Sequence, residues 1–176
     1  MRTKFKFQFI VLFLLIFNVS SAIAGWTVHS STDEMEGTTN CFASSQSVNP
    51  TKPMKFPYND VNAWLGIGNN GKSEWAYIGF SKEPNIIDKK PDNGYSVIKT
   101  RMKWDDQIEI VTLTQDWGSK FLHFALDSRM ISKIAKHKKV MLELNWYGQG
   151  QKYFVFPLTG SSDAIARMRR CGAKNR

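Results

Sequence analysis

Hydrophobic and polar residues alternate in short runs along most of the chain, and turn-forming residues separate the runs. The clearest run is YSVIKTRMKW (95–104). Ile98, Thr100, Met102 and Trp104 fall on one side, while Lys99, Arg101 and Lys103 fall on the other. Period two is the signature of a strand with one wet face. KVMLELNWY repeats it with Val140, Leu142, Leu144 and Trp146. By the same reading GWTVHSS, TNCFASS, VNAWLGIG, SEWAYIGFS, IEIVTLT, KFLHFAL and KYFVFPL are strands, about nine in all. The acidic TDEMEG, then NNGK, DDQ, DWGS and GQGQ read as the turns between neighbours. Two stretches read as loops, SVNPTKPMKFPYND for its prolines and KEPNIIDKKPDNG for its polarity.

The period changes twice. DSRMISKIAKHK opens on a capping residue and places Met130, Ile131, Ile134 and Ala135 at helical spacing. TGSSDAIARMRRCG predicts a second helix, capped by Ser161 or Ser162, with Asp163 at the positive end of its dipole and Gly172 at its close. The expected fold is therefore mainly β: an antiparallel β-sandwich or barrel with two short helices near the C-terminus.

The N-terminus does not fit that pattern. Arg2, Lys4 and Lys6 precede an unbroken apolar run from Phe9 to Phe17, and Ala22 and Ala24 form an A-x-A site before Gly25. This is the order of a secretory signal peptide, cleaved after residue 24, and the run is short for a membrane span. Residues 25–176 then form a single β-rich domain, expected in the periplasm or secreted. No second apolar stretch is long enough to cross a membrane.

Export changes the meaning of the cysteines. Cys41 and Cys171 are the only two, and in an oxidising compartment a distant pair reads as one disulfide. Of the formal net charge of +9, Arg2, Lys4 and Lys6 belong to the N-terminal segment, and the excess that remains is concentrated in RMISKIAKHKK and RMRRCGAKNR. Lys133, Lys136, Arg167, Arg169 and Arg170 are accordingly candidates for a surface that meets a protein or an anionic envelope component. Trp117, in the turn QDWGSK, joins them as the tryptophan most exposed by position, although packing under its loop is its more common fate. The other tryptophans alternate into strands and read mostly as core. Nucleic acid is not an expected partner, because the compartment holds little of it.

Chemistry beyond binding finds little support. GIGNNG (66–71) has the spacing of a dinucleotide loop, but a strand follows it where the pyrophosphate needs a helix N-terminus. Asn69-Asn70-Gly71 is better read as a hairpin turn, and Gly66 and Gly68 as places where a strand bends or a neighbour approaches. Asp105 and Asp106 are adjacent in a turn and point apart, so they lack the convergence that acid–base work requires. His29 and Ser31 share a strand without a nucleophile-elbow motif. His29, His123 and His137 show no ligand spacing. No catalytic residue, cofactor or metal is expected. The function expected is a non-enzymatic periplasmic envelope protein; the alternative is a small exported hydrolase acting on the cell wall.

Trp26, TDEM (32–35), Cys41, RMKWDD (101–106), YFVFPLTG (153–160) and SSDAIARMRRCG ending at Cys171 appear in a suggestive order. In this order the chain resembles a group of Gram-negative periplasmic proteins. The group includes the type VI secretion-associated family typified by VasI and TagO and, more loosely, the invasion-associated locus B family. The resemblance implies an accessory envelope protein without catalysis, engaged in secretion or in immunity to a toxin or phage.

Overall fold

A computed structural model describes residues 25–173. The signal peptide read over residues 1–24 and the tail residues Lys174 and Arg176 lie outside them. The elements run β1 Thr27–Asp33, β2 Thr38–Ser44, β3 Ala63–Asn69, β4 Glu74–Phe80, β5 Lys89–Asp92, β6 Tyr95–Trp104, β7 Gln107–Asp116, β8 Phe121–Phe124, α1 Asp127–Lys136, β9 Lys139–Trp146, β10 Gly150–Pro157 and α2 Ser161–Ala173. All strands join one antiparallel sheet in the order β1-β2-β3-β4-β8-β7-β6-β9-β10, with β5 paired to β6.

The sheet curls because one face of almost every strand is apolar and must be buried against another. Leu65, Ile67, Ile78, Phe80, Ile98, Met102, Trp104, Leu113, Leu122, Leu142, Trp146, Phe154 and Phe156 fill the interior. Burying each large side chain contributes on the order of 2 kcal/mol. The two limbs meet through the segment after β2. Val48 bridges to Ala63 of β3, and Pro50 bridges to Phe154 of β10. The Trp26 indole N–H also donates to the Pro157 carbonyl, at 3.1 Å. Both helices close one end, α1 against β4 and α2 against β1, β2 and β3. Cys171 of α2 is bonded to Cys41 of β2, with Cα atoms 6.1 Å apart. Fold class and disulfide are thus as the sequence predicts.

Four local expectations need correction. Part of KEPNIIDKKPDNG is a strand, β5, tolerated because Pro91 sits on an edge where its missing N–H costs no ladder bond. Asp127 does not cap α1: the N-cap is Leu126, and the Asp127 carboxylate accepts instead from the Ala76 N–H of β4, at 2.8 Å. Ser161 does not cap α2, since its hydroxyl donates to the Ile134 carbonyl at 2.6 Å and so ties the helices together. Gly172 lies within α2, where a Cβ would come within 2.6 Å of Asn69 Oδ1. Asp163 does occupy the first turn, and Met130, Ile131 and Ile134 are buried.

Candidate binding cleft on the outer sheet face

Interior positions along β3 and β4 are Ala63, Leu65, Ile67, Ala76, Ile78 and Phe80. Strand alternation sends their neighbours outward. These are Trp64, Gly66 and Gly68 on β3, with Trp75, Tyr77 and Gly79 on β4. Register then arranges them in three cross-strand rows. The first runs His29, Phe42, Gly68, Trp75, and the second Ser44, Gly66, Tyr77, His123. The third runs Trp64, Gly79, Phe121. Every row contains one glycine, set beside at least one large ring.

The pairing is steric. A Cβ on Gly66 would lie 2.3 Å from the Tyr77 ring, one on Gly68 would lie 2.2 Å from the Trp75 indole, and one on Gly79 would lie 2.3 Å from the Trp64 indole. Each ring therefore lies across the neighbouring strand on bare backbone, an arrangement that also restores packing a strand glycine forgoes. Other rings hold these in place. Phe121 meets Trp64 edge-on at 6.2 Å and Tyr77 at 5.5 Å, Phe42 meets Trp75 edge-on at 6.1 Å, and His29 stacks on Phe42 at 5.1 Å.

Together these side chains enclose about 460 Å³, lined by His29, Phe42, Ser44, Trp64, Trp75, Tyr77, Phe121 and His123. The volume is that of a small-ligand site. From β1 to β8 it spans four inter-strand gaps, roughly 19 Å. No lysine, arginine, aspartate or glutamate lines it. Its polar groups are two imidazoles, the Ser44 hydroxyl, the Tyr77 phenol and the two indole N–H groups. Burial pushes the Tyr77 phenol up, partly offset by hydrogen bonding with Ser44 and Trp64, so it stays neutral and can both donate and accept. A second depression of about 330 Å³, between β6 and β9, is lined by Asp88, Lys99 and the ion pair of Arg101 with Glu143, 2.5 Å apart.

None of the residues singled out from the sequence as a binding surface lines this cleft. Trp117 is 69% exposed on the β7–β8 turn, so it does not pack under its loop. Lys133 is half-buried, with Nζ 2.6 Å from Glu109 and 5.3 Å from the centre of the Trp104 ring. Arg169 makes a two-pronged pair with Glu74, at 2.8 and 2.7 Å. Both are spent on holding helices to the sheet. Lys136, Arg167 and Arg170 are exposed. Asp105 receives the N–H groups of Lys138 and Lys139 and lies 3.0 Å from His137 Nδ1, whereas Asp106 points to solvent near Lys103. The carboxylates do not converge. His29 faces Phe42, not Ser31. In GIGNNG the Asn69 and Asn70 side chains accept backbone N–H groups of the turn, at 2.6 Å for Gly71 and 2.8 Å for Ser73.

Reading the strand tryptophans mostly as core hides the cleft, since Trp64 and Trp75 line it. The available signal was parity: Gly66, Gly68 and Gly79 share a face with Trp64, Trp75 and Tyr77, opposite the aliphatic residues. Among the described residues no group of three or more His, Cys, Asp or Glu could hold a metal ion, and no helix is long and apolar enough to cross a membrane. The chain matches no protein-family model, no curated protein and no solved structure.

Proposed function

We propose that this chain is a non-enzymatic, exported binding protein of the bacterial envelope, which holds its ligand in the aromatic cleft. One observation carries the reading: three large rings seated on three glycines line a depression of about 460 Å³ on the outside of the sheet. Core packing does not call for this, since the rings lie on the face away from the core. Aromatic side chains held in place on a surface are the kind that anchor partners. The disulfide supports export, because such bonds persist in oxidising compartments. Periplasmic placement rests on the signal-peptide reading, and secretion-accessory or immunity work on the resemblance to the VasI and TagO group. A cell-wall hydrolase is less well supported, because the Asp105 carboxylate is held by the Lys138 and Lys139 N–H groups while Asp106 points to solvent, so the two do not converge.

The cleft takes over from the basic helices as the expected contact, because Lys133 and Arg169 are tied to Glu109 and Glu74. Affinity capture from an envelope fraction separates the two. Trp64→Ala and Trp75→Ala are expected to abolish capture, and Arg167→Ala with Arg170→Ala to leave it intact. The opposite pattern would restore the basic surface and remove the cleft.

A further inference from the structure

We infer that the ligand of this cleft is a neutral saccharide, an inference that rests on the binding role proposed above. Charge comes first. A basic chain has lined this depression with no charged group, so a ligand that carried charge would lose its hydration there without gaining a partner. That disfavours single-stranded nucleic acid, whose binders set aromatic platforms in a positively charged groove. Anionic polymers are disfavoured on the same ground.

Shape comes second. The Trp64 and Trp75 indoles lie across the sheet on Gly79 and Gly68 and present broad apolar surface outward. A pyranose ring offers a matching patch of C–H groups on its face, with hydroxyls around its edge. The polar groups between the indoles suit that edge. Ser44, Tyr77 and His123 along the middle row can each donate or accept, as can His29 at the end of the Trp75 row, and a hydroxyl does both. A proline-rich peptide is the rival occupant of aromatic grooves. It offers mainly carbonyl acceptors and would be served by donors alone. The mixed set here favours the sugar.

The test titrates the disulfide-bonded protein with neutral hexose and N-acetylhexosamine oligosaccharides, with a proline-rich peptide and an anionic oligosaccharide as comparison arms. Calorimetry and tryptophan fluorescence give the readouts. A neutral saccharide should bind with little dependence on salt, and Trp64→Ala and Trp75→Ala should each weaken it by about tenfold or more. Phe121→Ala and His123→Ala, at the rim, provide variants that keep the test valid if an indole variant fails to fold. Peptide binding with the same tryptophan dependence would overturn the saccharide and leave the binding role standing, as would anionic saccharide binding. Failure of every arm, with capture from the envelope fraction indifferent to the tryptophan variants, would overturn both.

Discussion

Gly66, Gly68 and Gly79 owe their identity to the rings above them. Adding a methyl at Gly79 must displace the Trp64 indole, which its Cβ would meet at 2.3 Å. Gly79→Ala should therefore cost about 1–3 kcal/mol of stability, as overpacking does, and weaken ligand capture while the far-UV circular dichroism stays native. A stable Gly79→Ala protein with full binding would contradict the steric account. Asp105 offers a separate check. Hydrogen bonding to His137, then to the Lys139 and Lys138 N–H groups, holds its carboxyl below the usual range. A depressed folded pKa stabilises above the unfolded value and is lost as pH falls through the folded one. Asp105→Asn should thus be less stable than wild type at neutral pH, with the gap closing below about pH 4, as denaturant midpoints measured across pH will show. At this scale the sequence was only half legible. The turn role of Asn69 and Asn70 could be read directly, and so could the idea that Gly66 and Gly68 admit a neighbour. Which neighbour depends on register between strands, which no single strand encodes.

Periodicity identified most elements correctly, because β6 and β9 bury one face and wet the other. β5 escaped because an edge strand of four residues, KKPD, needs no apolar face. The caps of α1 and α2 escaped for a different reason. Asp127 and Ser161 are good capping residues by propensity, but β4 and the end of α1 offered them long-range partners. Clustered basic residues in α1 and α2 read as one surface only while their partners Glu109 and Glu74 were out of sight. Truncating Arg169 should cost about 0.5–1 kcal/mol, as a partly exposed pair does, while Arg167→Ala should change the midpoint little. Equal effects in thermal or urea unfolding would count against a structural role for the Arg169–Glu74 pair.

For the molecule as a whole, one covalent bond joins β2 to the last helix across 130 residues. In the chain-entropy treatment a loop of that length contributes about 5 kcal/mol, so reduction, or Cys41→Ser with Cys171→Ser, should lower the urea midpoint sharply. The bond was legible from two cysteines and an N-terminal segment that reads as a signal peptide. The curled sheet was legible as a class but not in its closure, because Val48 and Pro50 bridge the limbs from inside what reads as a proline-rich loop. With Trp104 and Trp146 fully buried and Trp64 and Trp75 on the outer face, the tryptophans themselves can report where a ligand sits. The most direct measurement is therefore the set of indole N–H resonances during titration with neutral oligosaccharide. The account predicts that Trp64 and Trp75 move while Trp104 and Trp146 hold still; a saturating response confined to Trp117, or none at Trp64 and Trp75, would contradict it.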